Sequence, residues 1–329
     1  LYFTHMRGTV VGVLRGGPSS EHEVSLRSGH TMLRNLPEDA YTARDIYIDK
    51  KGVWHERGVA TTPDRILPTL DVALIALHGN YGQDGEVQKL LEKFGVPYTG
   101  ADPWGSFLSG HKMMAKNHTI EAGLMTPAYR FVERVEAIDD IVLEVTRSFH
   151  QPVVVKPVDS GSSVGVSVVG GYAPVHLAVT NLFLTGTKGV LIEELIKGVE
   201  ATVGVVEGMR GEELYALPPV EIVPPSAAGF FSYDAKYSGE SQEICPGRFS
   251  RPVSQALMEA ACIAHASLGL RHYSRSDFIV SPKGIYYLET NNAAAVGMTD
   301  ASLFPKALDS VGISLPEFLS HVVELAIRK

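Results

Sequence analysis

From Thr9 to Arg15 the chain reads TVVGVLR, a near-continuous apolar run closed by Gly16-Gly17-Pro18, the pattern of a strand buried on both faces. The segment after it, SSEHEVSLRSGHTMLRNL, reads as a helix opened by serines. Further strands at YTARDIYID and VALIALHG and a helix at GEVQKLLEKFG complete a β-α-β alternation. Such alternation predicts an α/β unit with a doubly wound sheet and binding loops at the strand C-termini, ending around Tyr98 to Ala101.

Beyond that point the pattern changes. SGHKMMAKNHTIEAGL predicts one helix followed by Pro127, then strands at AYRFVE, PVVVKP and VGVSVV, with helical stretches at Ala137 to Phe149 and Val175 to Leu182. GVLIEELIKGVEATVGVVEG predicts strand, short connector, strand, and the last third alternates strands (LPPVEIVP, SDFIVS, GIYYLET) with helices (SQALMEAACIAHASLGL, SLPEFLSHVVELAIR). The expected organisation is a doubly wound N-terminal unit over 7–100, a central unit over 101–193 and a C-terminal unit over 194–329. The opening Leu1-Tyr2-Phe3-Thr4-His5-Met6 reads as an appended remnant, with the natural chain starting near Met6.

Composition adds exclusions. With 45% hydrophobic and 20% charged residues over 329 positions, the chain can bury a sizeable core and does not read as disordered or fibrous. A net charge of −8 argues against broad nucleic-acid binding, though not against a local cluster of lysines around a phosphate. Cys245 and Cys262 supply neither a disulfide framework nor zinc spacing, which makes a reducing cytoplasm the expected compartment. No apolar run reaches the length of a membrane span, and there is no signal-peptide pattern.

Candidate chemistry gathers in a few places. VVVKPVDSGSSVGVS is a strand, a lysine, a Gly/Ser-rich turn and another strand; backbone amides in such a turn can cradle phosphate, and Lys156 adds a point charge. The G-x-x-x-x-G-K-[ST] signature is absent, and a plain hairpin is the competing reading. RSDF and YYLETNN bring Asp277, Glu289 and Asn291 onto neighbouring strands, Glu289 and Asn291 leaving the same face. These oxygen donors suit Mg2+ beside nucleotide phosphates; the rival is a solvated strand end with an Arg275 ion pair. Glu21 in GGPSSEHEVS sits at a helix start, where a capping carboxylate is the ordinary explanation, and G-x-G-x-x-G is missing. His78 ends a strand and reads either as a site residue or as a satisfied histidine; Lys236 lies beside Tyr237 in the polar stretch SYDAKYSGESQEICPG.

Together the blocks GGPSSEHEVSLRSG, LHGNYGQDGEVQ, PYTGADPWGSFLSGHK, VVVKPVDSGSSVGVS, VLIEELIKGVEATV, YDAKYS and RSDF…YYLETN…GMTDASLFP resemble the D-alanine–D-alanine ligases of the ATP-grasp superfamily, from about Thr9 to the C-terminus. The resemblance implies an ATP-grasp fold of three domains, with ATP held between the central and C-terminal ones. It implies that Glu193, Glu194 and Ile196 form the adenine hinge, that Glu200 takes the ribose, and that Lys112, Lys156, Lys236, Ser162 and Ser163 meet the phosphates. Asp277, Glu289 and Asn291 would hold two Mg2+ ions, with Mn2+ as a substitute. Glu21 would receive the first D-alanine's ammonium in a network with Ser162 and Tyr237, beside His78; Ser302, Leu303 and Lys236 would receive the second substrate, and Arg275 with the Gly297 amide would stabilise the oxyanion. The family further implies D-alanyl-D-alanine synthesis for peptidoglycan, a homodimer and no membrane or nucleic-acid partner.

This chain departs from the family pattern twice. Relatives read E-x-N-T-x-P-G-M-T, with four steps from asparagine to glycine, whereas Asn291 to Gly297 is six steps and Asn292-Ala293-Ala294-Ala295-Val296 contains no proline. The expanded run is expected to be loose until substrates close the site, because alanines do not stiffen a loop as proline does. That expectation keeps two alternatives beside an active D-alanine ligase: a nucleotide-binding protein with weak or lost ligation, and a ligase taking D-serine or D-lactate. The second departure is Gln83, where many relatives have glutamate.

Overall fold

The computed structural model describes residues 8–161, 164–223 and 242–328. The first sheet contains β1 (Thr9–Gly16), β2 (Tyr41–Ile48), β3 (Trp54–Glu56), β4 (Val59–Thr61) and β5 (Val72–Ile75), in the order β4-β3-β2-β1-β5. β1 is parallel to both β2 and β5, as the apolar runs foretold, because crossover helices cover both faces of a parallel core. The β3–β4 hairpin that extends this sheet antiparallel was not foreseen; three-residue strands carry too little periodicity to be read. α1 (His22–Asn35) lies on β1 so closely that a Cβ on Gly29 would sit 2.6 Å from the Cβ of Arg15. Short α2 (Pro63–Ile66) and α3 (Glu86–Lys93) complete the unit.

The expected single helix over SGHKMMAKNHTIEAGL is instead the end of α4 (Pro103–Gly110) and all of α5 (Lys112–Glu121). His111 between them is extended (φ −101°, ψ 98°), and its ring accepts the Met114 amide at 3.4 Å, so it starts α5 afresh. Gly110 just ahead of it weakens continuation of the first helix. The break sets Lys112 at the first position of α5, with its backbone N–H on the Val158 carbonyl at 3.0 Å.

The second sheet is antiparallel: β6 (Tyr129–Val132), β7 (Val153–Pro157), β8 (Ser167–Val169) and β9 (Val190–Glu194), in the order β6-β9-β7-β8. It is backed by α6 (Ile138–Ser148) and α7 (Tyr172–Leu184), whose Val142, Val145, Val175 and Val179 bury against Val153, Val155 and Ile192. β8 is shorter than the VGVSVV run because Gly165 turns with φ +77°.

The third sheet holds β10 (Val199–Glu207), β11 (Leu214–Ala216), β12 (Val220–Val223), β13 (Gln242–Ile244), β14 (Tyr273–Ser281) and β15 (Gly284–Asn292). Its order is β13-β12-β10-β14-β15, with β11 also on β10. α8 (Arg251–Ser267) covers one face through Leu257, Ala261 and Ala264. α9 (Leu303–Ser310) and α10 (Leu315–Ile327) pack between this sheet and the first, in one core that joins Val11 and Leu74 to Tyr273, Phe304 and Phe318. The aromatic rings of that core meet edge-on, Tyr273–Phe318 at 5.1 Å and Phe304–Phe318 at 5.3 Å. The first and third sheets are thereby held as neighbours, which brings the ends of β1 and β5 to the end of β15.

Candidate nucleotide and ligation site

A cavity of about 560 Å³ opens between the second and third sheets. β7 supplies Lys156, β9 supplies Glu193 and Glu194, the connector after β9 supplies Ile196, β10 supplies Glu200, α5 supplies Lys112, and β14 and β15 supply Asp277 and Glu289. Apolar Val154, Val166, Ile222, Ile279 and Leu288 line the remaining walls. Flat apolar walls with a few charged groups at one end suit an aromatic base attached to a polyanion.

The charged end is built by strand register. Asp277 pairs across from Glu289, and Arg275 from Asn291, so these four side chains share one face of the β14–β15 ladder. Arg275 grips Asp277 with two hydrogen bonds of 3.1 and 3.0 Å, Thr202 donates to Asp277 at 2.5 Å, and the Asn291 amide donates to it at 3.2 Å. Lys112 reaches Glu289 at 3.2 Å and also donates to the Ser160 carbonyl, tying α5 to the Gly/Ser-rich turn. The Arg275 ion pair expected as the bland alternative is therefore present, and it coexists with a hard-oxygen donor set. Two carboxylates and an amide on one face fit a Mg2+ shared with phosphates.

Glu193 is buried at the cavity's back wall between two lysines, Lys156 at 2.8 Å and Lys116 at 3.1 Å. Burial works against its charge, but both lysines outweigh that and hold its carboxyl below the usual carboxylate range. Each of its two oxygens thus faces one lysine, Oε1 Lys116 and Oε2 Lys156.

A second cluster lies where the first sheet meets the end of β15. Glu21 occupies the position just before α1, yet its side chain caps nothing there, contrary to the ordinary explanation. It points instead between two glycines: a Cβ on Gly79 would come within 3.2 Å of its carboxylate, and one on Gly161 within 3.5 Å. Ser19 joins the Glu21 amide at 3.2 Å to the His78 carbonyl at 2.5 Å. The His78 ring is buried, meets Ser28 at 3.0 Å, and is pushed down to about 4 by burial and by the nearby Arg275 charge, so it is neutral at neutral pH. Ser28 also accepts the Met298 amide at 3.4 Å, linking α1 to the Gly-Met-Thr segment. Gly297 packs against Ser302, whose hydroxyl meets the Thr299 amide at 3.2 Å and its hydroxyl at 2.8 Å; Ser302 and Leu303 begin α9.

The run expected to be loose is not. β15 continues through Asn292, Ala293–Ala295 form a 3-10 turn, and Ala293, Ala294 and Val296 are 1%, 3% and 1% exposed. The Asn292 amide donates to the Gln83 carbonyl at 3.1 Å and to the Ser109 hydroxyl at 3.0 Å. Small side chains enter a gap that proline would not be needed to stiffen, since packing on both sides holds the turn. Lys236, Tyr237, Ser162 and Ser163 lie outside the described residues.

The sequence reading missed Lys116, Ser28, Asn292 and the Arg248–Glu221 pair at the cavity mouth, whose side chains meet at 2.6 Å. Helical spacing was an available signal for the first two: Lys116 follows Lys112 by four residues and Ser28 follows Glu21 by seven, each on its neighbour's face. No local signal marks Asn292.

The profile of the D-ala D-ala ligase C-terminus matches residues 119–324, and that of the N-terminus matches 10–66 and 55–101. A D-alanine–D-alanine ligase of Syntrophobacter fumaroxidans is 39% identical over 319 residues, covering 97% of both chains. The structure of a D-alanine–D-alanine ligase from Bacillus anthracis complexed with ATP superposes with a TM-score of 0.81 at 29% identity, over 98% of each chain. That of the VanG D-Ala:D-Ser ligase from Enterococcus faecalis gives 0.84 at 26% identity, over 97% of this chain and 99% of that one. Fold and cavity thus define an ATP-grasp ligase. The chain belongs to the D-alanine–D-alanine ligase family.

Proposed function

We propose that this enzyme joins two D-alanines at the expense of ATP, giving D-alanyl-D-alanine, ADP and phosphate for peptidoglycan precursors. The observation that carries the reading is the convergence of Lys112, Lys156, Asp277 and Glu289 on one cavity with apolar walls, where Glu193 pairs with Lys156. Asp277, Glu289 and Asn291 are the residues that would hold Mg2+, two ions in the fullest form, which would neutralise charge on the triphosphate.

A carboxylate is a poor electrophile, so the first D-alanine must be activated. Its carboxylate oxygen attacks the γ-phosphorus, ADP leaves, and an acyl phosphate forms. The second amine, having lost a proton, attacks the acyl carbon, and phosphate departs carrying the oxygen it gained. Glu21 orients the first ammonium, and neutral His78 adds no competing charge beside it. Arg275, held by Asp277, and the Gly297 amide stabilise the oxyanion; losing one such donor costs about 2.7–4 kcal/mol. Lys236, Tyr237, Ser162 and Ser163 complete the phosphate and substrate subsites, Glu194, Ile196 and Glu200 the adenosine end, and Ser302 with Leu303 the second subsite. Tyr237 favours an amine acceptor over D-lactate.

The rival of nucleotide binding without ligation drew its motive from a loose run after Asn291, and the burial of Ala293, Ala294 and Val296 removes that motive. We place the enzyme in the cytoplasm as a homodimer; among the described residues no single helix is long and apolar enough to cross a membrane. Labelling the carboxylate of D-alanine with 18O tests the chemistry. One label per turnover is expected in released phosphate, and unlabelled phosphate formed together with dipeptide would sink the acyl-phosphate route.

A further inference from the structure

Lys116 is a buried charge that the mechanism above does not use. Its side chain is fully buried on α5, its Nζ lies 3.1 Å from Glu193 Oε1, and it stands 5.9 Å over the Tyr129 ring. Among the described residues it has no aligned hydrogen bond, and Glu193 is its ion-pair partner. The opposite oxygen of Glu193 is held by Lys156 at 2.8 Å. On the nucleotide reading, Lys156 is also the lysine that must serve phosphate.

One ammonium cannot satisfy both anions at full strength. If Glu193 had Lys156 alone, each move of that lysine toward a phosphate would strand a carboxylate in a dry wall, which is costly. A second, immobile lysine removes the conflict. We propose that Lys116 is a positioning residue, the permanent counter-ion of Glu193, whose presence releases Lys156 to the nucleotide phosphates. The inference rests on reading the cavity as a nucleotide site.

The surrounding charges agree. Burial pushes Lys116 down to about 8, against the opposing pull of Glu193, so both partners are charged at neutral pH. Lys112 is engaged elsewhere, with Glu289, and is not available to replace it. Lys116 itself does not line the cavity, which separates its role from direct phosphate contact.

The test compares ATP, ADP and adenosine binding by calorimetry in the full chain and in Lys116→Met, with the KM values for ATP and D-alanine beside them. With Lys156 retained by Glu193, affinity for ATP and ADP should fall at least about tenfold, the scale of one charge-assisted bond. Adenosine should change less than about twofold and the KM for D-alanine should not move, a split that a damaged fold would not produce. Equal loss for adenosine and ATP, or no loss at all, overturns the proposal. If Lys116→Met lowers the folded yield, Lys116→Gln is read by the same criteria. A parent chain that binds no ATP would instead overturn the nucleotide reading beneath it.

Discussion

Replacing Asn292-Ala293-Ala294-Ala295-Val296 with Thr-Ser-Pro would restore the spacing of the relatives, and the structure predicts that it damages the enzyme. The Asn292 amide bonds the Gln83 carbonyl and the Ser109 hydroxyl in a buried position, and losing it leaves the Gln83 carbonyl without that donor, at about 1–3 kcal/mol. Removing the buried Val296 side chain and the Ala293 and Ala294 methyls forfeits about 2–3 kcal/mol more. The sum, about 3–6 kcal/mol, is a large part of the roughly 5–15 kcal/mol that holds a folded protein. Asn292 also joins the loop carrying Gln83 to the strand bearing Asn291, so turnover should fall along with stability. Urea unfolding followed by fluorescence, paired with phosphate release, measures both. A shortened variant as stable as the parent and faster would refute the reasoning and return the run to the status of a loose linker.

Glu289→Gln should abolish turnover at ordinary Mg2+ while circular dichroism stays unchanged, since an amide cannot replace the carboxylate's charge; near-normal rates would dismiss the metal assignment. His78 and His272 are both held down to about 4 by burial, so between pH 6.5 and 4 the unfolded chain binds protons that the folded one does not. Stability from these two groups is fully present above about pH 6.5 and is lost as pH falls toward 4, by up to about 3 kcal/mol each. His272→Asn, which keeps an acceptor for the Gly100 amide and tolerates the φ of +68°, should roughly halve the slope of stability against pH in that window; an unaltered slope would contradict the assignment. Gly29→Ala places a methyl 2.6 Å from the Arg15 Cβ and should cost about 1–3 kcal/mol in urea unfolding, a neutral result showing that α1 can back away from β1.

Much of this was legible in the sequence because long strands and helices announce themselves by periodicity. β1, β2, α1, α8 and α10 appear within a few residues of where the pattern put them. The break at His111 was not legible, since Lys112–Glu121 continues a helical pattern and only the cap geometry separates it from α4. Candidate site residues could be picked out block by block, but their meeting depends on strand register: that Arg275 faces Asn291 while Asp277 faces Glu289 follows from the β14–β15 pairing. Reading Asn292–Val296 as loose failed for a related reason. Local composition predicts the freedom of an isolated loop, whereas two cores closing on Ala293 and Ala294 decide its freedom here. Lys116 was hidden because a lysine on a helix is ordinarily a solvated one.

The central claim is ligation of two D-alanines, and it is tested most directly by incubating the protein with ATP and Mg2+ plus D-alanine, D-serine or D-lactate. Phosphate is counted and products are identified by mass spectrometry. The account predicts D-alanyl-D-alanine from D-alanine alone, with one phosphate released per dipeptide and little release without an amino acid. Nucleotide binding with no dipeptide, or an ester formed in preference to the dipeptide when D-alanine and D-lactate compete, would contradict it.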